Sequence, residues 1–193
     1  KMSEKRKKYS SKAGLLPGDL SQEQLVERMI RVDHAGEYGA VRIYQGQLSV
    51  MGHSESSSII KHMLDQEIEH FETFSEIIKN RRVRPTALMP LWHFAGFALG
   101  AGTALMGKRA AMACTVAVEE VIDEHYASQV EKLESMGNKE SNLRDVCKKF
   151  RSEEIEHKNI GLEHDAEKTP GFETLSALVK TGSRVAIWLS ERL

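Results

Sequence analysis

At 193 residues the chain has room for one domain with an appendage and none for a second catalytic module. A hydrophobic content of 40% suits a chain that buries a core, and Lys+Arg 27 against Asp+Glu 28 leaves a net charge of -1, which removes the bulk electrostatic argument for nucleic-acid binding. Two cysteines, Cys114 and Cys147, write neither a disulfide framework nor a thiolate zinc site, and 6% aromatic residues with few β-branched runs point to helices.

Residues 1–19 form a basic, non-periodic segment without the apolar run of a secretory signal, and read as a disordered arm ahead of a single domain over 20–193. The remnant of a targeting segment, or a basic strip touching anionic lipid, are the other readings of that arm. Ser21-Gln-Glu-Gln24 is a capping-box pattern, and the apolar spacing behind it predicts a first helix ending at Gly52. A second helix begins among residues 54–58 and breaks before Pro85. From Thr86 to Gly107 there are 22 residues without Asp, Glu, Lys or Arg, long enough to cross a bilayer. A fourth helix is expected from Lys108 to about Met136, a fifth from near Ser141 to about Lys168, and a last one with Thr169 as N-cap and Pro170 in its first turn.

Helix two carries Glu67-Ile-Glu-His70 and helix five repeats it as Glu154-Ile-Glu-His157, each placing a carboxylate and an imidazole on one helix face. The helical line 60, 63, 67, 70, 74, 77 reads Ile, Met, Glu, His, Phe, Ile, so the charged pair interrupts an apolar face, whereas the line through Glu69 is polar throughout. The same test turns Glu154, His157 and Glu119 inward and Glu156 and Glu120 outward; Glu37 lies beside the main apolar stripe of helix one. Glu37 precedes Glu67 by 30 residues, Glu119 precedes Glu154 by 35, and Tyr44 and Tyr126 each follow a lone Glu by seven, which describes two related helix pairs about a pseudo-twofold axis.

Four inward carboxylates and two histidines are prohibitive as bare charges in an apolar bundle, and two divalent metals resolve that cost. A Glu from each of two helices plus Glu-x-x-His from each of two others is the di-iron or di-manganese pattern of four-helix bundles. The set without thiolate favours iron or manganese over structural zinc. Solvated i,i+3 charge pairs are the competing reading for any one position. Asp33, Asp123, His125, Tyr126, Tyr44 and His164 are candidates to orient ligands by hydrogen bonds. A bilayer crossing by residues 86–107 would separate Glu37, Glu67 and His70 from Glu119, Glu154 and His157, so this helix is expected to lie in the membrane interface, with Trp92, Phe94 and Phe97 in the acyl boundary. A buried core helix or an oligomer contact is the alternative.

The residues Asp33-His-Ala-Gly-Glu-Tyr-Gly-Ala40, Leu99-Gly-Ala-Gly-Thr-Ala-Leu105, Ala111-Met-Ala-Cys-Thr-Val-Ala-Val-Glu-Glu120, Glu153-Glu-Ile-Glu-His157 and Arg184-Val-Ala-Ile-Trp-Leu-Ser-Glu-Arg192 resemble the demethoxyubiquinone hydroxylase family of ubiquinone biosynthesis, from about Leu25 to Leu193. The resemblance implies an all-α, ferritin-like four-helix bundle with an added interfacial apolar helix and a C-terminal helix. It implies two iron ions held by Glu37, Glu67, His70, Glu119, Glu154 and His157, and O2-dependent hydroxylation of a polyprenylated demethoxyquinol ring. It further implies NADH as electron source, although no G-x-G-x-x-G fingerprint is present. The implied setting is the matrix face of the mitochondrial inner membrane, or the bacterial cytoplasmic membrane, as a peripheral protein beside a lipid-binding accessory protein and other proteins of the same biosynthesis. A homo-oligomer stays open, and an iron-storing or ferroxidase bundle is the rival function.

Overall fold

The computed structural model describes residues 18–193, so all but the last two residues of the expected basic arm lie outside the described residues. Six α-helices and no strand are found among them: α1 (Gln22–Met51), α2 (Ser57–Arg81), α3 (Met89–Leu105), α4 (Lys108–Ser135), α5 (Ser141–Glu163) and α6 (Phe172–Ser190). The capping box at α1 is complete, the Ser21 hydroxyl accepting from the Gln24 backbone N–H and the Gln24 side chain accepting from the Ser21 N–H.

Helices α1, α2, α4 and α5 form the bundle, α1 packing on α2 and α4 on α5, while α3 lies against α1 and α6 against α4. The core divides along the bundle axis. One cluster gathers Ile30, Phe74, Leu133 and Phe150 at one end, and another gathers Ile60, Met63, Met112 and Val116 toward the other.

Two ends differ from expectation. Helix α5 stops at Glu163 rather than near Lys168, because Asp165 turns left-handed at φ 64 and the chain continues as a short 3-10 turn over Ala166–Lys168. The last helix is capped by Gly171 at φ 72, a conformation glycine adopts without steric cost, and it opens at Phe172, past the expected Thr169-Pro170 pair. Arg82 ends α2 in the left-handed region at φ 54. Arg82→Gly is therefore expected to raise stability by about 0.5–1 kcal/mol in chemical denaturation, since a Cβ disfavours this conformation.

The uncharged segment forms a 17-residue helix, about 25 Å at 1.5 Å per residue. No helix among the described residues is long and apolar enough to cross a membrane. Helix α3 approaches α1 closely through glycine: a Cβ built on Gly100 would sit 1.9 Å from the Ile43 carbonyl oxygen, and one on Gly46 would sit 2.2 Å from that of Phe97. Its outer side leaves Phe94 71% and Leu105 75% exposed, and the neighbouring α6 leaves Leu178 and Trp188 exposed as well.

Candidate metal centre

The bundle brings all six inward ligand candidates to one place. Glu37 (α1), Glu67 and His70 (α2), Glu119 (α4), and Glu154 and His157 (α5) are all at most 2% exposed. Their ligand atoms form two groups, Glu37, Glu67, His70 and Glu154, and Glu67, Glu119, Glu154 and His157, each with the atoms within 4.8 Å of one another. Glu67 and Glu154 belong to both, in the place a pair of metal-bridging carboxylates would occupy. Glu69 and Glu156 face water, and Glu120 pairs with Lys180 at the surface.

Buried polar atoms normally have a hydrogen-bond partner. Here Glu37 Oε2, both oxygens of Glu67 and of Glu154, Glu119 Oε2, and Nδ1 of His70 and His157 have none. Nδ1 of His70 lies 3.2 Å from Glu37 Oε2 and 3.1 Å from Glu154 Oε1, and Nδ1 of His157 lies 3.1 Å from Glu67 Oε1. Lone pairs of this kind, converging from two sides and lacking donors, fit divalent cations with oxygen and imidazole ligands.

The electrostatics agree. Burial, then the charge of Glu154, raises Glu67 and Glu119 well above the usual carboxylate range. Burial also works upward on Glu154, but His157 and His70 outweigh it and hold this carboxyl at about 2. Burial opposes a charged imidazole at His70, yet the Glu154 and Glu37 carboxylates beside it push it up to about 12; His157 is raised for the same reason. When no cation is bound, protons on these groups supply the compensating charge. Metal loading at neutral pH is thus expected to release more than about one proton per chain, and affinity to rise with pH. Calorimetry in buffers of different ionisation enthalpy measures this; loading without proton release would contradict it.

The supporting hydrogen bonds cross between the two halves. The Tyr44 hydroxyl donates to Glu119 Oε1 at 2.7 Å, and the Tyr126 hydroxyl donates to Glu37 Oε1. Each tyrosine therefore serves the lone glutamate of the other half. Asp33 is buried and accepts from Gln129 at 2.7 Å, with His125 Nε2 at 3.2 Å from the same oxygen. Asp123 lies outside both groups, accepting from Arg151 at 2.6 Å, because its turn of α4 faces the basic side of α5. His164 also lies outside them, at the C-terminal end of α5.

Two partners escaped the stripe test. His70 Nε2 lies 2.8 Å from Glu153 Oε2, and His157 Nε2 lies 2.9 Å from Gln66 Oε1. Gln66 falls on the polar line of helix two, which the pattern assigned to water. The available signal was positional, because each residue immediately precedes the Glu of its motif, as Gln66-Glu67 and Glu153-Glu154.

An apolar cavity of about 320 Å³ lies between α1, α3, α4 and α6. Gly36 and Val118, which line it, immediately precede the ligand candidates Glu37 and Glu119, and Trp92, Leu99 and Ile187 line it as well. Trp92 is partly buried here and donates to the Ser190 hydroxyl at 3.0 Å, Phe97 lies beneath the Arg42 guanidinium, and Phe94 is the outward one of the three aromatic residues expected at a membrane.

The family model described as ubiquinone biosynthesis protein COQ7 matches residues 24–190. This chain belongs to the COQ7 family. Among the relatives of this COQ7 family member, a 3-demethoxyubiquinol 3-hydroxylase of Rhodospirillum rubrum is 53% identical over 179 residues, covering 92% of this chain and 83% of the relative. The human NADPH-dependent 3-demethoxyubiquinone 3-hydroxylase, mitochondrial, is 56% identical over 169 residues, covering 87% and 78%. A 5-demethoxyubiquinone hydroxylase, mitochondrial, of Saccharomyces cerevisiae is 41% identical over 187 residues, covering 90% and 80%. The human relative is named for NADPH where the sequence resemblance implied NADH.

Proposed function

We propose that this COQ7 family chain is a demethoxyubiquinone hydroxylase whose ring chemistry takes place at a di-iron centre held by Glu37, Glu67, His70, Glu119, Glu154 and His157. The observation that carries this reading is the pair of ligand groups sharing Glu67 and Glu154, with their orphaned buried oxygens, beside an apolar cavity. Iron held by these residues would supply the reduction of O2, one oxygen atom entering a ring C–H bond and the other leaving as water, with two electrons from a reduced nicotinamide nucleotide.

The protein's own part is positioning. The cavity, walled mainly by glycine, alanine and aliphatic side chains, receives a flat aromatic head against the turns of α1 and α4 that carry Glu37 and Glu119. Tyr44 and Tyr126 are buried and, first through burial and then through the neighbouring carboxylates, held far above the ordinary phenol range. They stay protonated, and their O–H groups hold Glu119 and Glu37 in orientation. Asp33, Gln129 and the partly exposed His125 form a polar path from the surface to the turn of α1 that carries Glu37.

The isoprenoid tail leaves between α3 and α6, whose outer sides carry Phe94, Leu105, Leu178 and Trp188. These residues seat the protein on a membrane surface as a peripheral protein, on the inner mitochondrial or bacterial cytoplasmic membrane that the sequence resemblance implies, and leave apolar area for a lipid-binding accessory protein. Substituting glutamate for Phe94 and Trp188 together is expected to abolish flotation with anionic liposomes; unchanged flotation would reject the interfacial role.

The deciding experiment on function is reduction of the iron-loaded protein under anaerobic conditions, then O2 with a demethoxyquinol, read by mass spectrometry. Hydroxylated quinol carrying oxygen from 18O2 is the expected product. Ferric iron without hydroxylated product would favour a ferroxidase, a function for which an apolar cavity of this kind has no use.

A further inference from the structure

The two ligand groups match in composition. Each offers three carboxylates and one imidazole, and their lone glutamates are held alike, Glu37 by Tyr126 and Glu119 by Tyr44. A difference between the halves lies at the far nitrogen of each histidine. His70 Nε2 faces the Glu153 carboxylate at 2.8 Å, whereas His157 Nε2 faces the Gln66 side-chain carbonyl at 2.9 Å. Glu153 and Gln66 occupy the same place in the repeat, one residue before Glu154 and Glu67, so the position is shared and the charge differs.

A carboxylate accepting an imidazole N–H makes a charge-assisted bond, roughly twice as strong as a neutral one. It fixes the proton on Nε2, turns Nδ1 toward the metal side and makes that nitrogen a stronger donor. An amide carbonyl orients the ring in the same way but polarises it less. His70 is the more firmly held ring in other respects too. The Phe150 ring stacks on it at 3.8 Å, and Glu153 is steadied by Lys149 at 3.6 Å, which also pairs with Glu69 at 2.6 Å.

Resting on the metal-centre reading above, we propose that Glu153 is a positioning residue that makes the His70 half the tighter of the two metal sites. The halves then fill in order, the His70 half first and the His157 half second.

The test is an anaerobic titration of the full metal-free chain with cobalt(II), followed by binding heat and by the cobalt absorption bands. The wild type shows two resolved steps separated by roughly tenfold in affinity. Glu153→Gln keeps the size and removes the charge, and weakens the tighter step by roughly tenfold so that the two steps merge. Gln66→Glu tightens the weaker step and merges them from the other side. A merely structural role for Glu153 would lower thermal stability and leave the ratio of the two affinities unchanged, and circular dichroism checks that both variants fold. Two steps still separated in Glu153→Gln as in the wild type, or indistinguishable steps in the wild type, would overturn the proposal. A wild-type chain that takes up no cobalt overturns the metal-centre reading itself, and the ordered filling with it.

Discussion

Replacing Glu154 by leucine is expected to leave a folded chain that holds fewer than one metal ion and has lost hydroxylation by about a thousandfold or more. Glu154 is fully buried, belongs to both ligand groups, and has no hydrogen-bond partner on either oxygen. Its loss removes a ligand from both halves at once, and the metal's several kcal/mol of barrier lowering goes with it, at tenfold in rate per about 1.4 kcal/mol. Stability falls as well. In the metal-free protein Glu154 is the buried carboxylate that faces His70 Nδ1 at 3.1 Å and His157 Nδ1 at 3.3 Å, and removing one partner of a buried ion pair costs about 3–5 kcal/mol because the other is left uncompensated. With chelator present, Glu154→Leu should therefore melt below the wild type. Metal added to the wild type should raise its melting point, by a stabilisation of about 4 kcal/mol at a thousandfold excess over Kd. Elemental analysis, turnover and thermal melts with and without chelator check each part. Wild-type metal content in the variant would remove Glu154 from the centre.

Gly100→Ala is expected to destabilise the protein by about 3 kcal/mol, against the ordinary gain of about 0.5–1 kcal/mol for replacing a helical glycine with alanine. The added Cβ would meet the Ile43 oxygen at 1.9 Å and its carbonyl carbon at 2.7 Å, and backbone of a buried helix cannot rotate away as a side chain can. Gly46 interlocks from the opposite helix, where a Cβ would fall 2.2 Å from the Phe97 oxygen, so α3 has no free direction along which to slide. Gly102, two residues on, has nothing within 4 Å of its Cβ position and is the control: Gly102→Ala should be neutral or stabilising. Urea denaturation of the pair reads the sign directly. Because Leu99 and Gly96 of α3 line the cavity, a displaced α3 should also raise the KM for quinol more than it lowers kcat. Equal stability of the two variants would mean that α3 is not held by close approach to α1.

The candidate ligand set was legible in the sequence because helical periodicity is strict. Once Ile60, Met63 and Phe74 must face inward, Glu67 and His70 have no other direction to point, and the same geometry separates Glu119 from Glu120. The tyrosines were legible only as a spacing. That Tyr44 reaches Glu119 and Tyr126 reaches Glu37 depends on α1 and α4 facing each other across the bundle, which no single-helix pattern encodes. Gln66 shows the limit most clearly. Its line along α2 is polar and its side chain only partly buried, so periodicity places it in water, yet His157 arrives from α5 and takes its carbonyl. Asp123 fails in the reverse sense, for its line passes through Glu119, but a drift of the helix face carries it out to Arg151.

The sequence by itself determined the order of the helices, the six inward ligand candidates and the uncharged segment, because each follows from the repeat of a helix and the cost of burying charge. The tertiary structure alone decided which residues hydrogen-bond those candidates, how closely α3 sits on α1 and where the cavity lies. Those features are set by pairs of residues from different helices, and a pair distance exists only once the helices have packed.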